Sequence, residues 1–332
     1  MIFNNTRFAV GQTLHQWAEA AGAYEAVTLV VKATFSLSGD GLVELAEDQI
    51  PVRYADELTG ERDDAPSARL PADVVLEKAG TDVIVAGHAY LPPGNTEVIT
   101  AVQVGDTTAP LRVHGPRLFE SGLGGVRIGP AVHVDRVALT YERAYGGVSS
   151  DLQQTEGRNP AGVGVSSSPR ELDGKLAPQI EHPTRPHTSA KDTHAPMGYA
   201  PLLPFWEPRR SAFGTLDDAY TKRRLPLPPV DFSCLYNNQA HPSLILSAPL
   251  SAKTTIALSG LRPEGLLRFE LPTWGVSVVA HRDRGVDPGL ILRPDTVVIE
   301  PDVGRLELVG RVRLRLLRKN LLREVQIDEA SE

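Results

Sequence analysis

Alternating apolar and polar positions mark the first clear strand of the chain. Residues 27–37, VTLVVKATFSL, have an apolar residue at every odd position, while Lys32 and Thr34 lie among the polar side chains of the other face. A period of two is the pattern of a β-strand. SGDG follows at 38–41, and Gly and Asp readily adopt the positive φ angles of a tight turn. Because LVEL resumes at once, the pattern predicts a β-hairpin.

Further apolar runs are separated by turns rich in Gly, Pro and Asp. We predict strands at 82–91, 97–104, 110–114, 132–143, 244–248, 254–258, 265–271, 275–281, 289–300 and 305–318. In the last run, LELVGRVRLRL, the even positions are mostly apolar and Arg311, Arg313 and Arg315 share the other face, which predicts a long half-buried strand with a basic outer face. The Ala-rich stretch at 14–25, LHQWAEAAGAYE, is the one helical candidate.

The middle of the chain has a different composition. Residues 145–240 are dense in Pro, Gly and Ser and show little periodicity, which alone is typical of a linker. They also contain aromatic residues, which disordered segments lack. We therefore predict an all-β protein with mainly antiparallel sheets of the sandwich or barrel kind and few short helices. In this prediction residues 1–332 form one composite unit, in which 1–144 and 241–320 supply the strands and the irregular segment 145–240 packs on them.

Charge and cysteine content narrow the possible partners and the compartment. The 332-residue chain has a net charge of −7 and a single cysteine, Cys234. The excess of acidic residues argues against a general nucleic-acid binder, and a lone cysteine forms no intrachain disulfide. The first residues, MIFNNTRFAV, have no signal-peptide pattern, and no run of eighteen apolar residues occurs. We expect a cytoplasmic protein that binds neither nucleic acid nor membrane.

An acid and a base stand side by side in VALTYERAYGGV, residues 137–148. If the strand continues to Arg143, then Glu142 and Arg143 point to opposite faces and do not form a catalytic dyad. Gly146 and Gly147 mark a chain reversal or a close approach of another segment. We interpret the two charges as structural groups neutralised by partners elsewhere, with catalysis as the alternative.

Other candidate sites lie in loops. Acid–base chemistry would need a carboxylate pair such as Asp217 with Asp218 or Asp56 with Glu57, but solvated loop acids are the commoner explanation. A loop with metal-ligating residue types, HPTRPHTSAKDTH, has a spacing that matches no zinc motif; its candidate ligands are His182, His187, Asp192 and His194. Neither GLGGVRIG nor NPAGVG ends like a phosphate loop, and Cys234 has no identifiable His partner. The sequence thus predicts no catalytic set, no metal and no cofactor.

The arginine row of the last strand has two explanations that remain open. Continued by Arg318, Lys319 and Arg323, it offers a surface for an acidic partner. The simpler explanation is a solvated face that protects the strand from edge pairing.

Several stretches in one order resemble a single bacterial family. They are LVVKATFSL, PVRYADEL, GTDVIVAGHAY, LRVHGPR, LTYERAYGGV, NPAGVG, PMGYAPLLPFWEPRRSAFGTLDDAY, LPLPPVDFSCLYNNQAHP and DTVVIEPD. The family that they resemble comprises domains of unknown function encoded beside VgrG and PAAR spike proteins in type VI secretion clusters. The resemblance extends over nearly the whole chain, from Asn4 to Arg315.

What the resemblance implies is a non-enzymatic adaptor, or chaperone, that binds a secreted toxin and helps to mount it on the VgrG or PAAR spike. Its framework motifs, expected to tie the middle segment to the sheet, correspond to Lys32, Thr34, Phe35, Glu142, Arg143, Gly146, Gly147, Asn159, Pro160, Gly162, Arg209, Gly214, Thr215 and Asp217. An adaptor needs an exposed apolar patch or an open strand edge. Candidate partner-binding residues are the middle-segment aromatics Tyr199, Phe205, Trp206, Tyr220, Phe232 and Tyr236.

Two rival functions follow from the same residues. A carbohydrate-binding β-sandwich would use aromatics such as Tyr199 and Trp206 as a stacking platform. A carbohydrate-active enzyme would use Glu142 or Asp217 as acid or base, and would need a second carboxylate about 5–10 Å away in an open cleft.

Overall fold

The protein is described by a computed structural model that covers residues 1–19, 22–60 and 65–330. The described residues are mostly β-strand, and the predicted all-β fold is confirmed. The strands are β1 Ile2–Asn4, β2 Ala9–Glu19, β3 Gly22–Leu37, β4 Val43–Leu45, β5 Glu57–Leu58, β6 Ala68–Leu70, β7 Thr81–Val85, β8 His88–Tyr90, β9 Glu97–Val104, β10 Thr107–His114, β11 Phe119–Gly122, β12 Gly125–Ile128, β13 Arg136–Ala138, β14 Tyr145–Gly146, β15 Val163–Gly164, β16 Ile180–Glu181, β17 Ile245–Leu246, β18 Thr255–Ser259, β19 Leu267–Glu270, β20 Val276–Arg282, β21 Gly285–Val286, β22 Leu290–Leu292, β23 Thr296–Glu300, β24 Arg305–Arg315 and β25 Leu322–Glu329.

Three larger sheets surround the core. The first has seven strands in the order β17-β7-β23-β24-β3-β2, with β4 also on β3, and only its β7–β23 pair is parallel. The second has the order β16-β10-β9-β18-β19, and the third is β1-β25-β20 with β21 and β22 both on β20. Strand β24 pairs directly with β3, so strands from both ends of the chain form one sheet. One hydrophobic cluster includes side chains of all three sheets, among them Leu29, Val102 and Val278.

The middle segment consists mainly of turns and short bridges, with two short helices. These are α1, Arg209–Phe213, and α2, Asp218–Arg223. Short 3₁₀ turns lie at Pro169–Leu172, Cys234–Asn237 and Pro242–Leu244. None of the helices in the described part of the chain is both long and apolar enough to cross a membrane.

The helix considered at 14–25 is wrong. Strands β2 and β3 form an antiparallel hairpin there, paired from Ala9 with Lys32 up to Glu19 with Gly22, and positions 20 and 21 lie outside the described residues. Gly22 has φ 119°, a conformation that suits a turn and ends any helical pattern. Pairing with β3 outweighs the weak helix preference of the alanines.

The predicted strand 132–143 is much shorter than expected. Only Arg136–Ala138 is a strand, and Tyr141–Arg143 form a 3₁₀ turn. Strand alternation therefore does not determine where the side chains of Glu142 and Arg143 point. Their directions follow from the contacts that each side chain makes.

The polar faces of β3 and β24 are buried or half-buried over most of their length, and the exposed residues Ser36 and Arg315 lie at their ends. Lys32 and Thr34 on β3 and Glu307 on β24 are all buried, because residues 49–53 and 73–77 lie over this face of the sheet. The long strand predicted at 305–318 is present as β24, but the prediction of a basic outer face is wrong, because other residues cover most of that face.

Candidate functional site

Two framework motifs, YGG at 145–147 and NPAGVG at 159–164, pack against each other. The Asn159 amide nitrogen donates to the carbonyl oxygens of Tyr141 and Tyr145, at 2.8 and 3.0 Å, from a side chain with no exposed surface. A Cβ atom on Gly146 would lie 2.1 Å from the Asn159 carbonyl oxygen. Gly147 has φ 102°, and its Cβ would meet the Gly162 carbonyl at 2.6 Å. The glycines thus let two backbones approach while Asn159 joins them, and Pro160 lies in the turn between.

Glu142 binds two residues that are distant in the sequence, Thr59 and Ser67. Its carboxylate accepts hydrogen bonds from Thr59 Oγ1 at 2.5 Å, Ser67 N at 2.9 Å and Ser67 Oγ at 2.6 Å. Burial alone would raise the pKa of Glu142, but these hydrogen bonds outweigh it and lower the pKa. The half-buried Arg143 instead donates to Gln179 Oε1 at 3.1 Å. Glu142 is therefore an ionised anchor whose oxygens are already engaged.

Lys32 belongs to a buried cluster of four charges. Its Nζ lies 3.0 Å from Asp73 Oδ2 and 3.1 Å from Glu307 Oε2. Arg53 contacts the same two carboxylates, with 3.1 Å between its NH2 and Asp73 Oδ1. Burial would raise the pKa of Glu307, but the hydrogen bond from Arg53 and the two positive charges lower it. Two positive and two negative charges therefore balance inside the protein.

The other residues of the KATF motif also help to hold the segment after β4 against the large sheet. Thr34 Oγ1 accepts a hydrogen bond from Ile50 N at 3.2 Å, while Phe35 lies in the hydrophobic core. This motif therefore fastens the segment after β4 to the large sheet.

The third framework motif shapes the chain around α1 and α2. Arg209 is buried and its Nε donates to the Tyr236 carbonyl at 2.9 Å, and burial lowers the pKa of Arg209. Gly214 has φ 101°, and the next residue, Thr215, donates from N and Oγ1 to the Asp231 carboxylate at 3.0 and 2.7 Å.

Asp217 has a capping role at the start of α2. Its Oδ1 accepts from Tyr220 N at 2.7 Å, which satisfies one of the free amides of the first turn. The neighbouring Asp218 forms an exposed ion pair with Lys222. The two adjacent acids therefore act separately and have no joint site.

The six candidate partner-binding aromatics divide into buried anchors and surface groups. Tyr199 has no exposed surface and donates from its hydroxyl to Ala109 O at 2.7 Å, and Trp206, 1% exposed, packs edge-to-face on Tyr141. Neither of these two reaches a partner from the folded chain, which corrects the expectation for both. Phe205 is 61% exposed, whereas the other three, Tyr220, Phe232 and Tyr236, are half-buried.

Phe213, Phe232 and Tyr236 pack edge-to-face with one another. Their ring centroids are 4.9 to 6.0 Å apart, and Phe232 also meets Trp17 of β2 at 5.9 Å. These contacts fix the helical part of the middle segment against the large sheet.

The same segment exposes large apolar side chains, of which only Phe205 is a candidate from the sequence. We call them the apolar surface of the middle segment: Phe205, Leu216, Leu225, Val230 and Leu235, each at least half exposed. They lie in and beside α1, α2 and the turn at 234–237. Composition alone does not distinguish them from buried neighbours, because this segment has no periodicity.

The histidine loop is organised around Glu181 instead of a metal. Glu181 is buried, with its carboxylate 2.7 Å from both His114 Nε2 and Arg117 NH2 and 3.3 Å from His187 Nδ1. Burial opposes ionisation, yet these contacts hold the pKa of Glu181 far below its usual value. Within the described ranges, no group of three or more His, Cys, Asp or Glu side chains is arranged to hold a metal ion. No sequence pattern predicts this cluster, since Arg117 lies 64 residues before Glu181.

His182 and His194 stay at the edge of this arrangement. The ring of His194 packs against His187 at 5.1 Å, while His182 Nδ1 accepts from Thr184 N at 3.2 Å. Asp192 accepts from the amides of Thr188 and Ser189, so it closes a turn.

The remaining candidates for catalysis are also engaged elsewhere. Asp56 accepts from Ala72 N at 2.7 Å, whereas the adjacent Glu57 pairs with Arg69 at 2.9 Å in solvent. Cys234 is half-buried, and burial raises the pKa of its thiol, which opposes thiolate chemistry. These residues form no acid–base or nucleophile–base set.

A small cavity of about 220 Å³ lies where the parallel strands β7 and β23 end. Its acids are Glu300, which pairs with Arg69 at 2.7 Å, and Asp302, which contacts His88 Nδ1 at 2.7 Å and accepts from Tyr90 at 2.9 Å. Each carboxylate is therefore already bound by other side chains.

The arginine row of β24 is largely occupied. Arg311 pairs with Asp295 at 2.7 Å, and Arg313 pairs with Glu77 at 2.8 Å while stacking over Trp17. Arg315 stacks over Tyr24 at 4.3 Å, and Arg323 pairs with Asp283. Because two of the three strand arginines are ion-paired on a covered face, a continuous basic surface is absent along β24.

The contacts above show that the framework motifs join distant parts of one chain. We compared the sequence with known families, curated proteins and solved structures. No curated protein and no solved structure matches the chain. The sequence model of the family described as "Uncharacterized protein conserved in bacteria (DUF2169)" matches residues 23–311. Since this match covers most of the 332 residues, the chain belongs to that bacterial family of uncharacterised proteins.

Proposed function

We propose that this protein is a non-enzymatic adaptor that binds a secreted type VI effector and helps to load it onto a VgrG or PAAR spike protein. The observation that carries the proposal is the apolar surface of the middle segment. Large exposed apolar groups concentrated in one stretch are typical of protein interaction sites. The type VI setting rests on the sequence resemblance.

The apolar surface has a rigid support. Trp206 lies directly beside the exposed Phe205 and is fixed against Tyr141, and the 234–237 turn is held by the ring contacts of its own Tyr236 with Phe213 and Phe232. A docking surface that is already ordered loses less conformational entropy on binding than a flexible one. The supporting contacts therefore favour recognition of a folded partner.

The charges beside α2 give the surface a polar rim. Exposed charges of both signs lie close to the apolar residues in the sequence: the bases Arg210, Lys222 and Arg223 and the acids Asp217, Asp218 and Asp231. An interface with an apolar centre and a charged rim gains its selectivity from complementary charge. We infer that the partner presents an apolar patch bordered by charges of both signs.

The rival functions have weaker support. A carbohydrate platform built on Tyr199 and Trp206 lacks its stacking faces, since both rings are buried. An enzyme based on Glu142 or Asp217 would use a carboxylate that already accepts backbone and hydroxyl hydrogen bonds. Glycan-array binding by the purified chain would favour the first rival over the adaptor.

The test is co-expression with the neighbouring encoded protein and the nearest VgrG or PAAR protein, followed by size-exclusion chromatography. The wild type should co-elute with a partner, and Leu216→Asp should abolish co-elution with an unchanged melting temperature. Leu123→Asp is the matched control, because Leu123 is fully exposed and lies in the turn of the separate β11–β12 sheet.

The two possible failures have different meanings. Separate elution of the wild type from all candidates would refute the adaptor function. Co-elution that survives both Leu216→Asp and Val230→Asp would refute the surface and leave the adaptor function standing.

A further inference from the structure

Strand β2 differs from the other sheet edges of the protein. The remaining edge strands of the three larger sheets are two to four residues long, whereas β2 has eleven, from Ala9 to Glu19. Proteins usually keep edge strands short because an open edge invites pairing with another chain. Strand β2 is thus an exception within its own fold.

The hydrogen-bonding pattern shows which groups of β2 face outward. Gln12 N donates to the Tyr54 hydroxyl, away from β3, at 3.3 Å. From the other side, Leu316 N donates to the Glu25 carbonyl, so the odd positions of β3 face β24 and its even positions face β2. Because Thr28 is paired with Thr13, the odd positions of β2 bond to β3 and the even ones face outward.

Three consecutive outward positions are therefore available. Leu14, Gln16 and Ala18 each direct an N–H and a C=O off the sheet, and the described residues supply no hydrogen bond to these groups. At the next outward position, the backbone N–H of Gln12 is already bonded to the Tyr54 hydroxyl. The open interval is Leu14–Ala18, and its centre is Gln16.

The usual protections of an edge are missing from this interval. AVGQTLHQWAE contains no Pro and no Lys, and its pairing with β3 runs without a bulge. Leu14 is 72% exposed, on the same face as the core-facing Leu29 of the neighbouring strand. The edge is free of bulges, neutral through residue 18 and partly apolar.

We propose that β2 pairs with β2 of a second copy of this chain, antiparallel and centred on Gln16. In this register Leu14 lies opposite Ala18 of the second copy and Gln16 opposite Gln16, so apolar meets apolar and amide meets amide. On the other face His15 lies opposite Trp17, and Glu19 lies opposite Thr13. No like charges face each other.

The symmetry of the sequence selects a second copy over an unrelated strand. A two-fold interface presents the same surface from both subunits and must be complementary to itself. The outward series Leu14, Gln16, Ala18 meets this condition, since it is apolar, polar, apolar in both directions. A pairing of this length lies at the small end of specific interfaces, so the dimer should depend on concentration.

The first test uses the purified chain alone and is therefore independent of the adaptor proposal. Sedimentation velocity from about 1 µM to about 200 µM should show the wild type passing from monomer to dimer. Gln16→Lys and Gln16→Glu should each remain monomeric, because like charges then lie opposite each other. An equimolar mixture of the two variants should form a heterodimer.

The second test fixes the register by disulfide formation in a Cys234→Ser background. Directly opposite hydrogen-bonded residues have Cα atoms about 5.5 Å apart, within the range of a disulfide. Gln16→Cys should therefore cross-link on mild oxidation. Gln12→Cys is the matched control, since it has the same residue type and face but lies about 27 Å from its counterpart in this register.

The proposal has clear ways to fail. A wild type that stays monomeric at the highest concentration overturns it, including when β2 proves to bind a strand of another protein. Equal cross-linking of the Gln12→Cys and Gln16→Cys variants also overturns it. Failure here leaves the co-elution test of the adaptor function unaffected.

Discussion

Replacing Lys32 by Met tests the balance of buried charge under the large sheet. The side chains of Lys32, Asp73 and Glu307 have at most 1% exposed surface, and that of Arg53 has 7%. In the wild type the four formal charges sum to zero. Lys32→Met keeps a side chain of similar length but leaves two carboxylates opposed by one guanidinium.

The expected loss of unfolding free energy is about 3–5 kcal/mol, the range for breaking a buried ion pair by removing one partner. The structure supports that range, because Lys32 Nζ contacts three groups. It lies 3.0 Å from Asp73 Oδ2, 3.1 Å from Glu307 Oε2 and 3.3 Å from the Pro51 carbonyl oxygen. A loss of this size is a large fraction of the stability of a typical domain.

Urea denaturation at pH 7, followed by circular dichroism, measures the effect. The control is Glu57→Gln, which breaks the solvent-exposed pair with Arg69 and should cost about 0–1 kcal/mol. The double variant Lys32→Met/Glu307→Gln restores the balance of charge between Arg53 and Asp73. Its loss should therefore be smaller than the sum of the two single losses.

Either of two results would refute this reasoning. If Lys32→Met cost no more than Glu57→Gln, the buried charges would not be energetically coupled to the fold. If the double variant lost the full sum, the cost would come from lost packing and not from unbalanced charge.

Three further predictions concern the framework motifs. Asn159→Ala removes two buried hydrogen bonds and should cost about 2–3 kcal/mol in urea denaturation; a loss below half of this would contradict the interlock. Gly147→Ala should cost about 1–3 kcal/mol because of its positive φ, and an unchanged melting temperature would refute it. The pKa of Glu142 is lower in the folded state, so its contribution is present above about pH 4.5 and is lost as pH falls through the folded value. The melting temperature should therefore decline below that pH less steeply in Glu142→Gln, and identical slopes would count against this.

Periodicity predicted the strands whose two faces differ most. The alternation in 27–37 and 306–316 placed β3 and β24 correctly, because their apolar faces meet the core. The opposite faces were misjudged, since Lys32 and Arg311 are covered by a segment without periodicity of its own, while Arg315 at the strand end stays exposed. Alternation with a period of two shows which side chains of a strand share a face. It does not show whether another segment of the chain covers that face.

The helix considered at 14–25 shows how tertiary pairing overrides local preference. Four alanines, at positions 18, 20, 21 and 23, give that stretch a helical composition. Eleven residue pairs with β3 determine its structure instead. The hydroxyl and amide partners of Glu142 and the charged partner Arg117 of Glu181 were likewise unpredictable, because they lie far along the chain and depend on the final packing.

Phe205 and Trp206 show why the binding surface needs the structure before it is mutated. The two residues are adjacent aromatics, yet one is 61% exposed and the other 1%. Replacing Trp206 by Ala would create a cavity against Tyr141, a change that typically costs about 3–5 kcal/mol, so lost binding in that variant would report on folding. Replacing Phe205 removes mainly surface area and leaves the anchor in place. Only substitutions of the second kind therefore separate recognition of a partner from stability of the scaffold that presents it.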